Sequence, residues 1–304
     1  MAQASNTIYG DIVTGQTLNS MKRALETRAY ALKYVTNVSQ YATKGQAAIH
    51  VPYLENDDGQ VVSVGAAFDA PSGDAVGSKD LLLNKKVGNP FLVKRDLAYQ
   101  TTVKIVEEKS KIAAEHILES MDVEILKGII GSVKAANIVD FSAASTAADT
   151  ITKADFIAAR KALNEANAPL HGRVCIIGPE HESQLMEIAE FVSADKIGKT
   201  SNMPIVEGFV GRAFGFDIVL LNHLPMVDKK GEINSTAKKN DSTPVIFLQS
   251  LAYMYGKQLV ETNYSLQDLA NADRYVPYNT FGNAKLEDSY VVMVCDKTTA
   301  DPTS

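Results

Sequence analysis

Five histidines carry the most versatile side-chain chemistry in this chain: His50, His116, His171, His181 and His223. Imidazole titrates near neutrality and ligates metals, so spacing decides what each can do. None is set as H-E-x-x-H, and the two cysteines and five histidines form no recognised metal-ligand spacing. Glu180-His181-Glu182 has the residue types for acid–base work. It stands at an expected helix start, where acidic side chains favour the N-terminal dipole, and that accounts for the carboxylates without catalysis. Gly208 to Gly215 resembles a dinucleotide-binding glycine loop only faintly. Its spacing is wrong, no clear strand precedes it, and no helix opens after it. Glycines that turn the chain ahead of a strand at Phe216 explain it better. There is no G-x-S-x-G and no G-x-x-x-x-G-K-[ST]. No catalytic residue, metal or cofactor is expected.

Tyr253, Tyr255, Tyr264, Tyr275, Tyr278 and Phe281 have the faces to stack nucleic-acid bases. Only Arg274 and Lys257 lie among them as basic residues, so core or interface packing is the better reading. Overall charge agrees: the net charge is −6 and the sequence pI about 5.5, against an electrostatic nucleic-acid binder. With 304 residues and 45% hydrophobic side chains, the chain can bury a sizeable core in one or two domains. Cys175 and Cys295 sit in apolar, strand-like runs and read as buried thiols of a reducing compartment. Met1 to Asn6 lacks the basic start and apolar core of a secretion signal, and no apolar run approaches a membrane span.

The elements that must position these residues follow from periodicity. Met1–Gln16 reads as an extended arm. Leu18, Met21, Leu25, Leu32 and Val35 recur at helical spacing, so an amphipathic helix is expected to end before Gly45. Ile49, Val51 and Tyr53 alternate with polar or exposed positions, and Asp58-Gly59 marks a turn before Val61, Val62 and Val64, a hairpin whose Pro52 confines its strand to an edge. Residues 65–77 are rich in Gly, Ala, Asp, Ser and Pro. Leu81–Val93 is extended, interrupted by Gly88-Asn89-Pro90. From about Arg95 to Ile130 there is no proline, and Gly128 is the only glycine, so one helix of about 50 Å is expected. Leu97, Ile105, Ile112, His116, Leu118, Val123 and Leu126 mark its apolar side, an irregular stripe suited to a sheet and not to a coiled coil.

Residues 135–150 read as loose. Thr152 to Asp155 opens a helix with a capping box. Arg173–Ile177, Phe216–Leu221, Val245–Leu248 and Tyr253–Leu259 read as strands, with a helix from Glu180 to Phe191. Asp228–Thr243 reads as a polar loop. Arg274–Phe281 and Leu286–Val294 read as a closing hairpin turned at Gly282-Asn283. Helices alternating with short buried strands indicate an α/β or α+β fold; with the ribbon and long helix set apart, α+β is the expectation. A long helix beside a long ribbon serves a subunit that reaches across neighbours better than it serves a compact catalyst.

This order of elements resembles the Hong Kong 97-like major capsid proteins of tailed phages. The passages that carry the resemblance are FLVKRDLAYQTTVKIVEEKSKIAAEHILESMDVEILKGI (91–129), RVCIIGPEHESQLMEIAEF (173–191), GFVGRAFGFDIVLLNHLP (208–225) and RYVPYNTFGNAKLEDSYVVMVC (274–295). They cover nearly the whole chain, and the order of elements carries more weight than any one motif. The resemblance implies an N-terminal arm and helix over 1–44 and an extended β-hairpin loop over 45–94. A peripheral domain with a long spine helix then covers 95–150, an α/β axial domain 151–264, and a return to the peripheral domain 265–304.

It also implies a structural protein, not an enzyme, that self-assembles through hexamers and pentamers into an icosahedral phage head around double-stranded DNA, without sequence-specific DNA binding. It implies no membrane association, assembly in the host cytoplasm and residence in the virion capsid. The expected partners are copies of itself, a portal, a decoration protein and a separate scaffold protein, since no scaffolding segment stands ahead of the arm; an already processed form is the alternative. Expected intersubunit contacts are Tyr9 of the arm, and Tyr53, Asp58, Gly59, Phe68, Lys79, Leu82, Lys85 and Lys86 of the loop. Some relatives join a loop lysine to a neighbour's asparagine; no partner asparagine or glutamate is marked here, so no cross-link is expected. An encapsulin-like compartment shell shares the implied fold. A soluble α/β enzyme using Thr152–Leu224 is the rival of another class.

Overall fold

A computed structural model describes residues 2–28, 30–42, 47–54, 76–94, 104–141, 150–188, 209–228, 230–233, 242–258, 261–267 and 271–296. Helix α1 (Ala2–Thr27) leads to strands β1 (Thr36–Asn37), β2 (Ala48–Leu54), β3 (Val76–Leu82), β4 (Lys85–Gly88) and β5 (Phe91–Lys94). Helix α2 (Ile105–Ser132) follows, then β6 (Ile138–Asp140), α3 (Lys153–Glu165), β7 (Arg173–Ile177) and α4 (Pro179–Glu187). The strands that follow among the described residues are β8 (Phe209–Ala213), β9 (Phe216–Leu220), β10 (Val245–Gln249), β11 (Tyr253–Lys257), β12 (Glu261–Gln267), β13 (Ala272–Lys285) and β14 (Val291–Cys295).

The described residues form two six-stranded sheets beside the β2–β3 pair. In the second, the order is β6-β14-β10-β7-β9-β8. Every residue of β7, β10 and β14 is buried, because both faces are covered. Val174, Ile176, Ile246, Leu248, Val291 and Met293 point into a core shared with α2. Their alternates Cys175, Ile177, Val245, Phe247, Val292 and Val294 point to Phe156 and Leu163 of α3 and Leu185 of α4. Both cysteines are buried, and burial pushes the Cys175 thiol well up. The expected capping box starts α3: the Thr152 backbone N–H donates to Asp155 Oδ2 at 2.7 Å.

In the first sheet β13 is the axis. On one side it pairs with β12 and β11, on the other with β5 and β4, and β1 lies parallel to β11 at the far edge. The sheet packs against α2. Its interior residues Ala114, Ile117, Leu118, Met121, Ile125, Leu126 and Ile129 are buried and occupy more than one face, since α1 covers the other side. That is why the stripe looked irregular. His116, expected on the apolar side, is instead exposed and lies 3.4 Å from Glu119.

The structure corrects several expectations. Residues of the arm over 2–16 are helical, because Val13, Thr17, Met21 and Ala24 repeat at one-turn spacing and bury themselves against α2 and β12. That helix stops at Thr27; Leu32 lies beyond it, where its backbone N–H donates to Asp122 Oδ1 at 2.9 Å. The hairpin's return strand is β3, in register from Ala48↔Leu82 to Leu54↔Val76. The expected return at 61–64 and the turn at Asp58-Gly59 lie outside the described residues, as do 95–103 ahead of α2. Part of the passage read as loose forms β6, parallel to β14. The closing hairpin does not exist. β13 runs straight through Gly282-Asn283, and β14 crosses into the second sheet beside β10.

Candidate functional site

The catalytic candidates come first. His181 is fully buried, with Nε2 2.9 Å from the Thr243 carbonyl oxygen and Nδ1 3.0 Å from Gln184 Oε1. Both nitrogens are engaged inside the fold. The glycine-spaced passage is a hairpin: Ala213 pairs with Phe216, and Phe214 and Gly215 turn with φ of 54° and 89°. Two positive φ values are what a tight β-hairpin turn requires. Among the described residues no group of three His, Cys, Asp or Glu side chains could hold a metal ion. The tyrosines are packing residues: Tyr275 stacks on Phe91 at 5.3 Å between ring centres, and Tyr253 and Tyr255 are buried against α2. Burial raises the phenols of both to about 12.

What remains is the β2–β3 hairpin and its seat. Among the described residues no third strand pairs with it, so both of its outer backbone edges stand open. It is pinned at its base by polar contacts. His50 Nδ1 lies 2.6 Å from Asp80 Oδ1, directly across the pair, and this hydrogen bond holds the Asp80 carboxyl below its ordinary range. Lys79 Nζ donates to the Leu286 carbonyl oxygen. A cleft of about 470 Å³ opens there, between Lys79 and Asp80 on one wall and Ala284 to Asp288 on the other.

Below the hairpin, β4 is bound to the body through its lysines. Lys85 Nζ lies 3.1 Å from Glu124 Oε2, while Lys127 reaches Glu124 Oε1 at 2.8 Å. Hydrogen bonds from Lys127 and then Lys85 hold the Glu124 carboxyl down. Lys86 Nζ sits 3.8 Å from the centre of the Tyr278 ring, a cation–π contact. The Tyr278 hydroxyl donates to Glu261 Oε2 at 2.8 Å, and that carboxylate raises its pKa. All three loop lysines therefore contact their own chain. Leu82 is 58% exposed, a large apolar side chain left in solvent on β3. Tyr9 falls on α1 and Tyr53 on β2, with side chains outside the described residues; Asp58, Gly59 and Phe68 lie wholly outside them.

No family model matches the sequence, and no curated protein matches it. Solved structures do. The capsid of Ralstonia phage GP4 is similar with a TM-score of 0.67 at 10% identity, over 92% of this chain and 93% of that one. A structure from Mycobacterium phage Che8 gives 0.62 at 19% identity, over 90% and 93%. The chain has the Hong Kong 97-like fold. A virus-like particle from Pyrococcus furiosus also resembles it, with a TM-score of 0.52 at 13% identity over 94% of this chain and 99% of that one.

Three residues that organise this Hong Kong 97-like chain escaped sequence reasoning. Asp122, fully buried in the middle of α2, accepts from Leu32 N and lies 2.6 Å from His223 Nε2, in the turn after β9. One carboxylate thus ties α2 to the segment after α1 and to the second sheet. Its signal was present: Asp122 follows Leu118 by four, on the apolar stripe. Gly256 and Gly282 face each other across β11 and β13. Only the pairing register brings them together, and no local pattern announces it.

Proposed function

We propose that this chain is the major capsid protein of a tailed phage, which assembles with copies of itself into an icosahedral head around double-stranded DNA. The observation that carries the reading is the whole-chain match to phage capsid structures, about nine-tenths of both chains at once, combined with a two-stranded hairpin whose edges the described chain leaves open. In this reading α2 is the spine helix, the first sheet belongs to the peripheral part, and the second sheet with α3 and α4 forms the axial part. The β2–β3 hairpin lies over an adjacent subunit in hexamers and pentamers, with intersubunit contacts at Tyr53, Asp58, Gly59, Phe68, Lys79, Leu82, Lys85 and Lys86 of the loop and at Tyr9 of α1. Each contact is modest, but each subunit makes several, so the shell is stable through multivalency. A separate scaffold protein, a portal and a decoration protein complete the particle, which assembles in the host cytoplasm. The net charge of −6 suits a lining that must release DNA.

A compartment shell that holds a cargo enzyme is the second reading, favoured by the coverage of the Pyrococcus furiosus particle chain. Velocity sedimentation of the purified chain, followed by negative-stain microscopy of the fast fraction, tests both. Closed particles with nuclease-protected DNA support the phage head. Particles that carry one enzyme support the compartment. A chain that remains monomeric or dimeric with scaffold supplied overturns the shell reading altogether.

A further inference from the structure

The face of the first sheet that turns away from α2 has a notch in it. Period-two alternation sends Tyr253, Tyr255, Phe281 and Asn283 toward α2, where Asn283 Nδ2 donates to the Glu124 carbonyl oxygen at 3.0 Å. Met254, Gly256, Gly282 and Ala284 therefore share the opposite face, as the direct pairs Met254↔Ala284 and Gly256↔Gly282. Neither glycine has a left-handed φ, so backbone conformation does not require them. Two glycines in mid-strand weaken a sheet, and a close approach is the usual reason to keep them.

The approach is visible. Ile49 and Leu81, a cross-strand pair at the base of the hairpin, are buried in one cluster with Val38, Leu83 and Met254. A Cβ on Gly256 would lie 2.7 Å from Ile49 Cδ1. A Cβ on Gly282 would lie 2.8 Å from Leu81 Cδ2 and 2.8 Å from the Leu82 carbonyl carbon, and would run into the Leu82 carbonyl oxygen. The two obstacles differ in kind. At Gly256 it is the tip of a side chain, which can be shortened. At Gly282 it is the main chain of β3, which can only move as a whole.

We propose that the Gly256–Gly282 pair is the seat that sets the angle at which the β2–β3 hairpin leaves the body, and so the reach of that hairpin over a second copy of the chain. The inference rests on the assembly reading above. Side chains in the seat lift the hairpin, and subunits that still fold then meet their neighbours at the wrong angle.

The test uses the full chain with Gly282→Ala, Gly256→Ala, and Gly256→Ala combined with Ile49→Val, which removes Cδ1. Gly128→Ala is the control: its Cβ would meet Tyr253 and Asn283 on the α2 face, away from the hairpin. Particle diameter by microscopy and hydrogen exchange at Leu83 N–H, which donates to the Ala47 carbonyl oxygen at 2.9 Å, are the readouts. Gly282→Ala is expected to speed that exchange about tenfold and to give few particles or misclosed ones. Gly256→Ala does the same more weakly, and Ile49→Val restores it. Gly128→Ala lowers thermal stability and leaves particle diameter unchanged. Wild-type exchange and diameter in both seat variants overturn the proposal, and so does failure of Ile49→Val to restore. Should Gly282→Ala not fold, the Gly256 pair of variants decides. If the wild-type chain forms no particles, the assembly reading fails, and hydrogen exchange still decides whether the glycines seat the hairpin.

Discussion

Strand β10 and the β2–β3 hairpin are both short extended segments with apolar residues, yet they meet opposite fates. β10 is buried on both faces and paired on both edges, with β14 and β7. The hairpin buries Ile49 and Leu81 at its base, leaves Leu82 in solvent, and carries exposed polar side chains at His50 and Asp80. The difference separates the part of the molecule that holds itself together from the part available to a neighbour. Stability should respond to the first, assembly to the second.

The sharpest way to break this contrast is at Phe247, in the middle of β10. It packs edge-on against Phe156 and Phe216, with ring centres 5.2 and 5.0 Å away. Phe247→Ala is expected to lose about 4 kcal/mol, read as a lower denaturation midpoint in urea. A loss below about 1 kcal/mol would mean that the second sheet is not the rigid part.

Asp122 lies at the joint between the two sheets. Asp122→Ala strands the Leu32 N–H and the His223 ring, so a loss of about 3 kcal/mol is expected. His223→Ala should lose less, because the Leu32 contact survives. Equal losses in denaturant titrations would show that His223 alone carries the joint.

The tyrosine face of β11 sharpens the contrast through pH. Tyr253 and Tyr255 have phenols raised from 10.0 to about 12 by burial. The unfolded chain releases those protons first, so their contribution is complete below pH 10 and is lost as pH rises toward 12. Each tyrosine should account for a fall on the order of 2 kcal/mol. Denaturant midpoints at pH 9 and 11 should differ, and Tyr253→Phe should flatten the dependence. Unchanged midpoints would place these rings in water.

The smallest expected effect on stability is at Leu82. Leu82→Ser should shift it by no more than about 0.5 kcal/mol, while particle yield drops. A variant that melts early, or that assembles as well as wild type, would put Leu82 in the core or off the contact surface.

Segments that are apolar on both sides, and the local chemistry that opens an element, can be read from the residues alone. The continuous runs at 174–177, 245–248 and 291–294 read as buried strands, and they are. The capping box at Thr152, the break at Gly88-Asn89-Pro90 and the turn at Phe214-Gly215 depend on neighbours in sequence, so they were legible there. Tertiary structure alone decided the rest. The arm is expected from sequence to be extended, and only the burial of Val13 and the Thr14–Thr262 hydrogen bond to β12, met through the tertiary fold, tie this end of α1 to the body. Gly282-Asn283 looks like a turn by composition; it is a straight strand, because glycine serves the approach of β3 and not a change of direction. Asp122 finds Leu32 and His223 across 90 and 101 residues of sequence, and Gly256 finds Gly282 through strand register. Long-range pairing sets those meetings, and local residue preference carries no record of it.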